Sequence, residues 1–229
     1  MSGENRPRAG SGGERPGQAS VRRRCDVARG VVERQGRVRR IVKWMVIAGV
    51  LPLAFRVHPF AGTASPADEA ASREAFLAAY KVFMHPRCMN CHPAGDAPLQ
   101  GDDSHPHSQN VQRGRGGMGK YALKCGNCHQ TTNLPGANMP PGNPTWRLPP
   151  PGMRMVFQGR TPGELARQLK DPKQNGGKTL EQIIHHVSED KLVLWGWDPG
   201  DGRTKPPLSH DEFVQKMREW VEKGAVSPE

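Results

Sequence analysis

Two copies of one five-residue pattern, at residues 88–92 (CMNCH) and 125–129 (CGNCH), constrain this chain more than any other feature. Two cysteines at this spacing lie about one helical turn apart. Each thiol can therefore form a thioether with one of the two vinyl groups of a haem, and the histidine that follows can ligate the iron. The pattern C-x-x-C-H thus predicts two covalently attached c-type haems. Thioether bonds are assigned to Cys88, Cys91, Cys125 and Cys128, and proximal ligation of the two irons is assigned to His92 and His129.

Two other kinds of site also use C-x-x-C pairs. Four thiolates can hold a structural zinc ion, but the 33 residues between Cys91 and Cys125 exceed the usual zinc-ribbon spacing. A four-thiolate site also has no use for the histidine that follows each motif. A thioredoxin-like dithiol is expected within a βαβ pattern, and neither motif has one around it. Haem attachment is the interpretation that uses all six motif residues, and a zinc-held module is the alternative.

The net charge of +11 at pH 7 belongs mainly to the start of the chain. Residues 1–64 carry 13 Lys/Arg against 4 Asp/Glu, a net charge of +9, which leaves +2 for residues 65–229. Because the body is nearly neutral, the sequence does not indicate a nucleic-acid-binding protein. The chain divides into a basic leader, residues 1–64, and a body that carries both motifs, residues 65–229.

The leader has the layout of a secretory signal peptide. Basic residues at 37–43 precede an apolar run at 44–55, and the small residues 61–64 place cleavage near Ala64. The run is shorter than the about 20 residues of a membrane-spanning helix, so contact with the membrane is expected only if the leader stays uncleaved as an anchor. Beyond Ala64 every cysteine lies in a motif. We therefore expect a periplasmic protein.

The body alternates between helix signals and irregular segments. Ser65-Pro66 is a cap followed by proline at the first helical position, and the helix it opens is expected to stop at His85-Pro86. Three further helices are predicted from capping patterns at residues 161–164, 179–182 and 209–212. Between the helices lie a polar loop, residues 95–119, and a Pro/Gly-rich stretch, residues 130–160. These features predict a mainly α, loop-rich, cytochrome c-like dihaem fold with long Pro/Gly segments.

The distal ligands of the two irons do not follow from the motifs, and three candidates stay open. Met139 comes first because its Pro/Gly-rich loop resembles the loop from which small c-type cytochromes present a distal methionine, although methionine also fills apolar gaps. His107 lies in the polar loop. His186 lies on an apolar helix, where a histidine is more often a core or surface residue. Methionine opposite histidine raises the iron potential relative to two histidines.

The body resembles a family of exported dihaem proteins labelled isoquinoline 1-oxidoreductase subunit. The resemblance covers residues 74–224 and is carried by residues 85–96, 99–103, 110–114, 133–142, 168–172 and 195–200. The label implies a molybdenum hydroxylase that passes electrons through iron–sulfur clusters. This chain has only five cysteines, too few for two haems and such clusters together. The resemblance therefore implies that the chain is the haem-bearing electron acceptor beside the hydroxylase.

The expected function is therefore electron transfer by a periplasmic dihaem c-type cytochrome, as the electron-accepting subunit or partner of a molybdenum/iron–sulfur hydroxylase. On this view the chain is an electron-transfer subunit of an oxidoreductase more than a catalyst by itself. A dihaem enzyme such as a peroxidase is the alternative, because an iron with an open coordination site could bind peroxide. A zinc-held binding module is the third class.

Overall fold

The computed structural model describes residues 65–229. The leader, with its predicted signal peptide and cleavage point near Ala64, lies outside the described residues. Within residues 65–229 the chain forms six α-helices and four two-residue strands, so the predicted mainly α, loop-rich character agrees with the structure. The helices are α1 (Pro66–Phe83), α2 (Pro86–Met89), α3 (Pro162–Lys170), α4 (Leu180–Glu189), α5 (Lys191–Leu194) and α6 (His210–Glu222).

Capping side chains start the longer helices where the sequence predicts. The Ser65 hydroxyl accepts a hydrogen bond from the Asp68 amide at the start of α1. Full capping boxes open α3, α4 and α6, because the cap hydroxyl accepts from the amide three residues on and that residue's side chain accepts from the cap amide. The caps are Thr161, Thr179 and Ser209. These four helix predictions are confirmed.

The core lies between α1 and α6, which make the most extensive helix pair. The ring of Phe76 packs 4.8 Å from that of Trp220, and Phe83 packs 5.2 Å from Phe213, measured between ring centroids. The Ser72 hydroxyl is buried at this contact and donates to the Trp220 carbonyl at 2.9 Å. Each of these aromatic side chains is almost fully removed from water, and burial on this scale drives the two helices together.

Most of the chain between α2 and α3 has no regular structure. Strands β1 (Leu99–Gln100) and β2 (His105–Pro106) pair antiparallel, as do β3 (Gly119–Lys120) and β4 (Leu123–Lys124). Short 3-10 helices at Cys125–Asn127, Pro151–Met153 and Trp195–Trp197 complete the regular elements. The prediction that no long helix or strand fits residues 130–160 is confirmed. No helix in residues 65–229 is both long enough and apolar enough to span a bilayer.

Glycine permits one close approach within this irregular region. The Gly117 amide region lies against Leu148, whose backbone N–H donates to the Gly117 carbonyl at 2.9 Å. A Cβ on Gly117 would lie 1.9 Å from the Leu148 carbonyl oxygen, and Gly117 has φ +78°. Only glycine accommodates both the positive φ and the close approach of the Leu148 carbonyl without strain. The contact brings residues 146–148 beside the segment that leads into the second motif.

Candidate functional site

The first motif begins in α2, directly after the core helix α1. The His85 side chain caps α2, with its Nδ1 accepting from the Arg87 amide at 3.3 Å. Cys88 packs against the hydrophobic core, and burial raises the pKa of its thiol to about 12. The pKa of the Cys91 thiol is raised to about 11, also mainly by burial. Proline at the start of α2 and the cap together hold this motif against the helical core.

A backbone segment that precedes α3 holds the ring of His92. The ring donates from Nδ1 to the Met155 carbonyl at 2.6 Å, and the His92 carbonyl accepts from the Phe157 amide at 2.9 Å. The imidazole lies flat on the Phe157 ring, with centroids 3.9 Å apart and planes 14° apart. Met155 has φ +45°, an uncommon conformation for a residue other than glycine. Burial lowers the pKa of His92 to about 4, so the ring is neutral at pH 7.

The second motif follows the β3–β4 hairpin and occupies the 3-10 helix Cys125–Asn127. The His129 ring donates from Nδ1 to the Pro141 carbonyl at 2.7 Å. It lies flat on the Trp146 indole, with centroids 4.4 Å apart and planes 11° apart. Burial is the first cause of its lowered pKa. The two motifs therefore hold their histidines in the same way, although the surrounding segments are unrelated in sequence.

Among residues 65–229 no hydrogen-bond partner of the second nitrogen of either ring is found. A carbonyl oxygen only accepts, so Nδ1 of His92 and of His129 carries the proton and Nε2 carries the lone pair. Metal-ligating histidines commonly donate their second ring N–H to a backbone carbonyl, which fixes the tautomer and the ring orientation. Both rings are neutral, oriented and have Nε2 available. The residues present therefore fit an axial ligand role at a haem iron.

A cleft of about 370 Å³ lies between the two motifs. Cys91 from the first motif and Cys125, Cys128 and His129 from the second line it. Cys88 and His92 of the first motif are not among the residues that line it. The volume falls in the range of cofactor sites. Both motifs thus open onto one shared space.

The thiols lack one feature typical of each alternative kind of site. All four motif cysteines are free of disulfide bonds. A reactive dithiol needs a lowered thiol pKa, whereas burial raises the pKa of Cys88, Cys91 and Cys125. Within residues 65–229 no group of three or more His, Cys, Asp or Glu side chains is arranged to hold a metal ion. The structure therefore does not bring the four sulfur atoms together around a single zinc position.

The three candidate distal ligands occupy different positions. His107 lines the cleft, and its ring centroid lies 6.4 Å from that of His129 with the planes at 61°. Its Nδ1 is buried without a hydrogen-bond partner among the described residues. Met139 is 41% exposed, and it does not line the cleft although Asn138 and Pro140 do. The structure therefore brings His107 to the second motif and leaves the Met139 side chain outside the cleft.

His186 lies in α4 and is associated with the first motif. Burial is the first cause of the lowered pKa of His92, and the charge of His186 lowers it further. Its Nδ1 lies 3.4 Å from a carboxylate oxygen of Asp190 one turn along the helix. The neighbouring His185 points to solvent. Of the two candidate distal histidines, only His107 has a ring beside that of a motif histidine, His129.

Several residues of the site cannot be predicted from the sequence. The carbonyls of Met155 and Pro141 and the rings of Phe157 and Trp146 could belong to any loop residues. Arginines at positions 87, 147 and 203 line the cleft although they are far apart in the chain. Only Arg87, which adjoins the first motif, could have been suspected from its position.

No family model matches the chain, and no curated protein or solved structure is significantly similar to it. The resemblance to the isoquinoline 1-oxidoreductase subunit family therefore stays a prediction.

Proposed function

We propose that this protein is an exported, periplasmic c-type cytochrome with a cytochrome c-like fold and two covalent haems, and that it transfers electrons. One observation carries the proposal: both motif histidines donate Nδ1–H to a backbone carbonyl and lie flat on an aromatic ring, with Nε2 free. Metal-ligating histidines are commonly held in this way, and the C-x-x-C pair directly before each of the two rings is what makes haem iron the metal we propose. His92 and His129 would be the proximal ligands of the two haem irons.

Haem iron would supply a one-electron couple, and the chain would supply ligation, orientation and exclusion of water. The aromatic rings of Phe157 and Trp146 fix the planes of the two proximal imidazoles. The first motif packs against the helical core, whereas Gly126, Asn127 and Cys128 of the second are exposed. Solvent access, and with it the potential, would therefore differ between the two haems. A dihaem site of this kind needs no further catalytic residue, which agrees with a role in carrying electrons.

His107 and His129 would together hold the haem iron of the second motif, because both rings line the cleft and their centroids lie 6.4 Å apart. His186 is the corresponding candidate for the iron bound by His92. Met139 would have to turn inward from its exposed position to compete.

The electron donor is proposed to be a molybdenum hydroxylase of the isoquinoline 1-oxidoreductase type. The β3–β4 hairpin exposes apolar side chains directly before the second motif, since Met118 is 57% exposed, Tyr121 91% and Leu123 47%. Exposed apolar clusters mark protein–protein contacts more often than chance. This hairpin would therefore place a docked hydroxylase close to the second haem.

The first test is to count haems. The exported protein, denatured and extracted with acetone, should give two haems per chain by the pyridine haemochrome assay. The C125A/C128A variant should retain one haem, and C25A, which changes a cysteine outside both motifs, should retain two. Colourless protein that holds zinc instead would refute the proposal.

The second test concerns the partner. Mixing the oxidised cytochrome with the reduced hydroxylase in a stopped-flow instrument should reduce haem within the hydroxylase turnover time, and Y121A should slow this step. Absence of reduction would remove this partner while leaving the haem assignment in place. A high-spin haem band together with consumption of peroxide would instead favour the dihaem peroxidase.

A further inference from the structure

The cleft between the two motifs is strongly positive. Among the described residues that line it are four cations and no carboxylate. Residues 65–229 as a whole carry a net charge of only +2, so the cations are concentrated here. They are Arg87, Lys124, Arg147 and Arg203. A site of this composition selects a ligand that carries negative groups.

Arg87 has an unused hydrogen-bond donor at the cleft. Its side chain is 3% exposed, and one terminal nitrogen pairs with the Asp102 carboxylate. Its Nε is buried and has no partner among the described residues. An unsatisfied buried donor on a charged group is unfavourable. The Asp102 pair therefore accounts for only part of what this guanidinium can bind.

Arg203 lies beside Arg87 at the same cleft. Its Nη2 donates to the Met139 carbonyl at 2.5 Å and its Nη1 to the Pro199 carbonyl at 3.3 Å. Neither acceptor carries a charge. The charge of Arg203 contributes to the lowered pKa of His129, so the guanidinium is close to the second motif. Asp102 pairs with Arg87 and also accepts from the amide of Thr204, the residue after Arg203, at 3.0 Å. No carboxylate among the described residues pairs with Arg203, so one positive charge is left in excess.

We infer that Arg87 and Arg203 bind the carboxylate groups of the cleft ligand, and, resting on the proposed function, that these carboxylates are haem propionates. Guanidinium and carboxylate groups match in planar, two-pronged geometry, and the pair is strong when shielded from water. The cations would also act on the iron, because they favour the reduced form, which carries one positive charge less. Arg87 and Arg203 would therefore position the haem and raise its potential.

The test compares reduction potentials in three variants that retain two haems. Spectroelectrochemical titration of R203Q should show one haem at a lower potential than in the wild type. The potential of that haem should also fall as pH rises between about pH 5 and about pH 9, because a propionate without its cation protonates in this range on reduction. The conservative variant R203K should lie closer to the wild type. The control is R218Q, because Arg218 is an exposed residue of α6 that does not line the cleft. R218Q removes the same formal charge and should leave both potentials unchanged.

The same potential measurements on R87Q test the role of Arg87 separately. If the buried Arg87 is needed for folding, R203Q alone tests the inference. Potentials of R203Q that match those of R218Q, in protein with two haems, would overturn this inference and leave the proposed function intact. A wild-type protein without haem would overturn both.

Discussion

The imidazole of His92 lies on the ring of Phe157 with the two centroids 3.9 Å apart, and Phe157 packs edge-on against Phe83 of α1 at 5.1 Å. The stack therefore joins the first motif to the helical core through a continuous line of side chains. Packing of this kind limits rotation of the imidazole, as does the hydrogen bond from Nδ1 to the Met155 carbonyl. The orientation of a candidate iron ligand is thus set by the same contacts that stabilise the fold.

Replacing Phe157 should cost both stability and ligand orientation. Phe157 is 5% exposed, and truncation of a buried phenylalanine to alanine typically costs about 3–5 kcal/mol. We expect F157A to lower the urea midpoint accordingly and to alter the spectrum of one haem. Y121A, which truncates an aromatic ring that is 91% exposed, should change the midpoint little. Equal midpoints for the two variants would show that the stack is not part of the core.

Removing His107 should open the coordination of one iron. If His107 ligates the iron bound by His129, H107A should show one high-spin haem that binds carbon monoxide, with the other haem unchanged. H105A is the matched control, because His105 is exposed in the same loop and pairs with Asp103 at 2.6 Å. A low-spin spectrum in H107A would return the distal role to Met139.

A parallel comparison applies to the other iron. H186A should leave one high-spin haem, and this should be the haem that H107A leaves low-spin. H185A changes the exposed neighbour on the same helix and should leave the spectrum unaltered. If H107A and H186A affected the same haem, the pairing of one histidine with each motif would be wrong.

Gly117 should not tolerate a side chain. In G117A the new Cβ would meet the Leu148 carbonyl at 1.9 Å, in a left-handed backbone conformation. A non-glycine residue held in that conformation costs about 1–3 kcal/mol, and the clash adds to it. We expect a lower denaturation midpoint and less haem retained at the second motif. G152A provides the control, because Gly152 lies outside both motifs and a Cβ there meets nothing within 4 Å.

The capping box of α3 should make stability depend on pH. The Thr161 amide donates to Glu164 at 2.9 Å, and this bond holds the pKa of that carboxyl below its ordinary value of 4.5. A depressed folded-state pKa means that the contribution is present above the unfolded value and is lost as pH falls through the folded one. The difference in midpoint between the wild type and E164Q should therefore be larger at about pH 7 than at about pH 3. A difference that did not change with pH would contradict this.

The sequence predicts the parts of this fold that depend on local interactions. Ser65, Thr161, Thr179 and Ser209 start helices because their hydroxyls bond amides within the same turn. The motif cysteines and histidines are equally local, since neighbouring residues make up each attachment pattern. The carbonyls that orient His92 and His129 and the arginines that meet at the cleft depend instead on how distant segments pack. No spacing in the chain predicts that Arg87 and Arg203 become neighbours.

The histidines of the two motifs are supported by different parts of the fold. His92 is supported through Phe157 by the helical core, whereas His129 is supported by Trp146 and Pro141, both in the irregular stretch between α2 and α3. Segments with few buried contacts open first, so amide deuterium uptake should be faster around His129 than around His92. Segments that open more readily also rearrange more when the charge of a bound haem changes. The two haems would then differ in reorganisation energy as well as in potential.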